Sequence, residues 1–140
     1  MTSRISAPDY MANMKANFDK RGANYFALAV FAPVLILAGV AGFLIPAERS
    51  LTSGAPPYNI FHIFFGTLGL ILVWSRREKL ISFFNAGFGL IDLYQALASR
   101  LHLFPERYFL WTKVDDILHI LIGLALVFIG GYGLIKRRTS

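Results

Sequence analysis

Residues 22–47 read GANYFALAVFAPVLILAGVAGFLIPA, 26 positions without a charged side chain. A run of ~18 or more apolar residues marks a membrane span, because ~20 residues of helix cover a ~30 Å hydrocarbon core. Working outward from this first span, Asn24–Pro46, the same criterion finds Tyr58–Ser75, Leu80–Ser99 and Val114–Ile135. Breakers and charge separate them: Ser53-Gly54-Ala55-Pro56-Pro57, then Arg76-Arg77-Glu78-Lys79, then the longer segment Arg100–Lys113. The composition agrees. Of 140 residues 56% are hydrophobic and only 16% charged, against about 25% charged in an ordinary soluble domain. A soluble chain of this length has no core large enough to hide so much apolar surface.

The expected fold is therefore all-α: a four-helix transmembrane bundle forming one integral membrane domain. Pro33 inside the first span predicts a kink. Ahead of that span, residues 1–22 read as a cytoplasmic tail. Within it Ser6-Ala7-Pro8 resembles a helix start, Gly22 a stop, and Tyr10, Met11, Met14 and Phe18 recur at helical spacing. That pattern predicts a short amphipathic helix at the membrane surface; a loosely ordered tail is the plainer alternative. The first apolar run is too long for a cleavable signal peptide and is expected to remain in the mature chain.

Several function classes fall away. Without cysteine there is no disulfide framework, zinc–thiolate site, iron–sulfur cluster or thiol nucleophile. No P-loop or serine-nucleophile motif appears, so no enzymatic activity is expected of the chain alone. The net charge of +6 reflects topology rather than nucleic-acid binding. Arg4, Lys15, Lys20, Arg21, Arg76, Arg77, Lys79, Lys136, Arg137 and Arg138 fall on one side of the expected spans, with Asp9, Asp19 and Glu78. On the other side Arg49, Arg100, Arg107 and Lys113 are balanced by Glu48, Glu106, Asp115 and Asp116. The positive-inside rule places both termini in the cytoplasm, in a bacterial inner membrane, with anionic lipid beside the basic face. Tyr58, Tyr108, Phe109 and Trp111 are expected as an outer interfacial belt, and Trp74 as an inner one.

The second and fourth spans begin alike. Asn59-Ile60-Phe61-His62-Ile63-Phe64-Phe65-Gly66 matches Asp116-Ile117-Leu118-His119-Ile120-Leu121-Ile122-Gly123, while the first and third spans do not align convincingly. This predicts two parallel helical-hairpin repeats with both histidines at similar depth. Helical spacing gathers Asn59, His62, Gly66 and Gly69 on one face, Asp116, His119, Gly123 and Gly130 on another, and Asn85, Gly89, Asp92, Ala96 and Ser99 on a third. Small residues let helices approach and polar ones bond across them, so the three stripes are expected to converge inside the bundle. At ~1.5 Å per residue Asp92 lies roughly 10 Å, His119 about 9 Å and His62 about 6 Å inside the outer boundary. An ionisable group at such depth calls for a partner.

On these two motifs, Asn59-x-x-His62-x-x-x-Gly66 with Gly69-Leu70 and Asp115-Asp116-x-Leu118-His119-x-x-x-Gly123, the chain resembles a bacterial family of four-span proteins catalogued as domain of unknown function 4383. The resemblance runs from about Phe26 to Tyr132. It implies the four-span fold and points to the histidines without implying an activity.

Four readings remain. In the first, the histidines, Asp92, Asn59, Asn85 and Asp116 are interior polar residues, Asp115 and Asp116 cap the fourth helix, and the glycines are helix-packing positions. The chain then serves as an accessory or structural subunit of a larger membrane complex, respiratory or photosynthetic for example. In the second, His62 and His119 ligate haem, or either one a chlorophyll-type pigment, with Gly66 and Gly123 leaving room for a flat ring. A metal held by His62, His119 and Asp92 is a weaker variant, with a borderline number of ligands. In the last, Asp92 and the histidines form a proton or ion pathway in an oligomer of the chain. His102, in the outer loop, reads as a solvated or interfacial residue.

Overall fold

The computed structural model describes residues 6–138, without the side chains of 13–21, 47, 137 and 138. Its elements are α1 (Ala7–Leu44), a short 3-10 turn (Ala47–Arg49), α2 (Pro56–Ser75), α3 (Glu78–Leu101), α4 (Glu106–Phe109) and α5 (Lys113–Arg138). Among the described residues four segments are long and apolar enough to cross a membrane: Gly22–Leu44, Pro56–Ser75, Glu78–Leu101 and Lys113–Lys136. Each expected span is there, shifted by only a residue or two at most boundaries. The protein is an all-α integral membrane protein.

Local signals explain the boundaries. Ser6 caps α1, its hydroxyl accepting from the Asp9 N–H at 3.4 Å, with Pro8 in the first turn. Gly22, at φ 55° and ψ 155°, breaks the helical path. This conformation suits glycine, which has no Cβ to clash. Tyr10 and Met11, on the segment before the break, are exposed; Met14 and Phe18 lie outside the described side chains. Pro33 is traversed with helical backbone angles, so the one departure from helix within α1 is at Gly22. Arg76, His102 and Leu110 close α2, α3 and α4 in the left-handed region, where a non-glycine residue is strained. The Phe104–Pro105 peptide bond is cis.

The helices pair as two antiparallel hairpins, α1 along α2 and α3 along α5, with sparser contacts between the pairs. Glycine sets the closeness. A Cβ on Gly66 would lie 2.7 Å from the Ala32 carbonyl oxygen and from Ile36; one on Gly123 would lie 2.9 Å from the Gly89 carbonyl oxygen and from Leu93. Gly69 is pressed on Ala32 and Leu28, and Gly130 on Ala86 and Ser82. Large apolar side chains such as Val30, Leu37, Phe64, Leu90 and Phe128 point outward to where lipid lies.

The interior is layered. Across the middle, Phe31, Phe61, Phe65, Phe84 and Phe88 pack together, Phe31 meeting Phe88 edge-on at 5.4 Å and Phe84 stacking on Phe88 at 5.7 Å. Leu35 and Leu126 complete that layer. Toward the end where the first span starts and the fourth ends lies a polar layer: Asn24 Nδ2 donates to the Ile129 carbonyl at 2.8 Å, and Asn85 Nδ2 lies 2.9 Å from Asn24 Oδ1 and 3.1 Å from the Asn24 carbonyl. A second polar layer fills the opposite, loop end.

Candidate functional site at the loop end

The loop-end layer is built around Asp115, which is 0% exposed. Asp115 stands at the third position of α5, three residues after Thr112. The Asp115 N–H donates to Thr112 Oγ1 at 3.2 Å, and the Thr112 N–H returns a bond to Asp115 Oδ2 at 2.7 Å. This reciprocal pair satisfies helix-start donors and places the carboxylate at the positive end of the helix dipole. The Thr112 hydroxyl lies 2.9 Å from both Asp115 Oδ2 and the Leu51 carbonyl. From the α1–α2 connection, the Ser53 N–H donates to Asp115 Oδ2 at 2.8 Å. Ser53 Oγ bonds the Phe109 carbonyl. From α2, the Tyr58 hydroxyl donates to Asp115 Oδ1 at 2.7 Å. One carboxylate thus joins both hairpins and both of their long connections.

The Tyr58 ring lies against both histidines, 4.1 Å from the imidazole of His62 and 6.2 Å from that of His119 between ring centres. Phe109 and Trp111 close the cluster. His62 Nδ1 donates to the Tyr58 carbonyl one turn back, at 2.9 Å, rather than to Asn59 or Asp92. His119, 4% exposed, has no hydrogen-bond partner at Nδ1 among the described residues. Gln95 on α3, 2% exposed, has none at either amide atom, and the Asp116 Oδ1 atom has none. Asp92, 3% exposed, makes no hydrogen bond or ion pair among the described residues.

The three small-and-polar stripes therefore do face inward. Asn59, His62, Gly66, Gly69, Asn85, Gly89, Asp92, Ala96, His119, Gly123 and Gly130 are buried, and Asp116 and Ser99 half-buried. Asn59 donates to the Gly54 carbonyl at 3.2 Å. His102 lies at the loop end, its side chain exposed, 3.8 Å from Glu106. Three expectations need correction. Tyr58 is no belt residue: it is 6% exposed and central to the site. Phe109 and Trp111 are half-buried beside it, because the two connections fold over the bundle end. Of the two acids expected to cap α5, Asp115 makes the capping bonds and Asp116 Oδ1 remains without one.

The space that a flat macrocycle would need beside Gly66 and Gly123 is filled by the backbones of α1 and α3 and by Ile36 and Leu93. Among the described residues no three histidine, aspartate or glutamate side chains converge as a metal ion requires. Comparison with protein-family models, curated proteins and solved structures finds no match to this chain.

Sequence reasoning placed Tyr58 in the belt rather than the site, and did not single out Ser53, Thr112 or Gln95 as site residues. One signal was available: Tyr58 precedes Asp115 by 57 positions, the same offset that relates His62 to His119.

Proposed function

We propose that the chain is a non-catalytic accessory or structural subunit of a larger membrane complex, energy-transducing assemblies being the natural setting. The observation that supports this reading is the Asp115 junction. The best-partnered ionisable group of the interior holds two hairpins and two connections in one arrangement, which is what a scaffold needs. The proposal extends to topology: Arg76, Arg77, Lys79 and Lys136 gather at the end where the first span starts and the fourth ends, so that end, and with it both termini, is proposed to be cytoplasmic in a bacterial inner membrane. The break at Gly22 supports a surface-lying segment before it.

The hairpins are further proposed to be repeats of one unit. Ala32 and Ile36 receive Gly66 as Gly89 and Leu93 receive Gly123, each counterpart standing 57 positions on. Phe31 and Phe88, and Tyr58 and Asp115, are such counterparts in mutual contact, as residues beside a two-fold axis must be. Membership of the four-span family is proposed on the two histidine motifs.

The test is co-purification of the tagged full-length chain from its own membrane in a mild detergent. A fixed stoichiometry with other membrane proteins, loosened by Asp115→Ala, supports the reading; the wild-type chain emerging alone overturns it.

Among the described residues Asp92, Gln95 and the His119 Nδ1 atom are buried without a hydrogen-bond partner on α3 and α5, and this favours a second reading: a small proton or ion transporter acting as an oligomer. Proton or ion flux in liposomes that is lost on Asp92→Asn would establish it, and absence of flux would remove it. The packing at Gly66 and Gly123 lends no support to a haem or chlorophyll-type ligand on His62 and His119.

A further inference from the structure

The connection from α3 to α5 has two sides. On one, Phe109 and Trp111 pack onto Tyr58 and His119 and close the loop-end site. On the other, Phe104 and Tyr108 meet edge-on at 6.0 Å and are exposed, Phe104 at 75%. Two adjoining exposed rings mark a surface with a partner.

The backbone shows where that surface lies. His102, in the left-handed region, ends α3, and the Leu103 N–H returns to the Ala98 carbonyl at 2.9 Å, so the chain turns back at the helix end. Tyr94 then holds it: the Tyr94 hydroxyl donates to the Phe104 carbonyl at 2.7 Å. Tyr94 stands seven residues before Leu101, about 10 Å inside the end of the span. A tyrosine side chain together with its hydrogen bond reaches no farther than that. The Phe104 carbonyl therefore lies level with the last turns of α3, not beyond them. Tyr94 itself belongs to a stripe, Leu90, Tyr94, Leu97 and Leu101, that is exposed at helical spacing on a membrane-spanning helix and so faces lipid. The ring pair continues that lipid-facing surface. Its rim is polar, as a headgroup boundary requires: Arg107 is exposed, and His102 and Glu106 lie 3.8 Å apart. Aromatic side chains favour this depth, and a tyrosine hydroxyl keeps a polar partner there.

We propose that the Phe104–Tyr108 pair docks into the bilayer interface at the loop end, tethered there by Tyr94. Lipid on one side and the Asp115 junction on the other then fix the connection. The test exploits the absence of cysteine. A nitroxide on a single introduced cysteine reports depth in phosphatidylcholine proteoliposomes through its collisions with oxygen, which partitions into lipid, and with a water-soluble nickel chelate. Phe104→Cys and Tyr108→Cys should both favour oxygen, Phe104→Cys nearly as strongly as Leu97→Cys within the stripe. Glu48→Cys, in the other loop-end connection, should favour the chelate. Adding Tyr94→Phe should shift the label at position 104 toward the chelate. A label at position 104 as open to the chelate as the one at position 48 overturns the proposal. So does shielding from both reagents, the mark of a second copy over the rings, and so does a depth unmoved by Tyr94→Phe.

Discussion

The Tyr58 hydroxyl donates to Asp115 Oδ1 at 2.7 Å across 57 positions of sequence, and the bond is completely buried at one end of the bundle. Lipid offers helices no hydrophobic reason to associate, so packing and interhelical hydrogen bonds decide how hairpins meet. Here the bond has unusual leverage. Its acceptor also holds the Ser53 and Thr112 N–H groups, which couples hairpin docking to the shape of both loop-end connections.

The glycine contacts make a paired prediction. Gly66→Ala and Gly123→Ala drive a Cβ to within 2.9 Å of a neighbouring backbone oxygen, so each should cost about 1–3 kcal/mol through overpacking. Gly87→Ala and Gly131→Ala meet nothing within 4 Å and should be neutral or gain up to about 1 kcal/mol from helix propensity. Equilibrium unfolding in mixed micelles separates the two classes.

Gln95 is buried, and neither of its amide atoms has a hydrogen-bond partner among the described residues. Gln95→Leu should therefore stabilise the protein by about 1–3 kcal/mol, the desolvation penalty of an unpartnered amide. A comparable loss of stability would show instead that the amide holds a buried water or ligand.

Leu110 ends α4 at φ 49°, with its side chain exposed. Leu110→Gly relieves a left-handed conformation that costs an L-residue about 1–2 kcal/mol, offset in part by the greater freedom of glycine when unfolded. The expected net effect on unfolding is a gain of up to about 1 kcal/mol; a loss would mean that the Leu110 side chain contributes more than its exposure indicates.

The spans and their inward faces were legible because lipid forces a simple code: uncharged runs of fixed length, with small and polar residues at helical spacing. The centre of the site was not. Tyr58 at a span start satisfies the rule for interfacial aromatics, and only the docking of the second hairpin, with Asp115 opposite it, turns the ring inward. The proposed correspondence of α1 with α3 was equally hidden: Ala32 and Gly89, or Phe31 and Phe88, have nothing distinctive in an apolar run, and only the glycines that press on the first pair and the ring contact within the second bring the proposal to them.

The central structural claim, that one buried bond ties the hairpins together, is tested most directly by a double-mutant cycle on Tyr58→Phe and Asp115→Ala, read by equilibrium unfolding in mixed micelles. Tyr58→Phe alone should cost about 1.5–3 kcal/mol, as expected for a hydrogen bond to a charged group. In the Asp115→Ala background the same change should cost almost nothing, giving a coupling energy near the full single-mutant value. Effects that simply add, within about 0.5 kcal/mol, would contradict the junction.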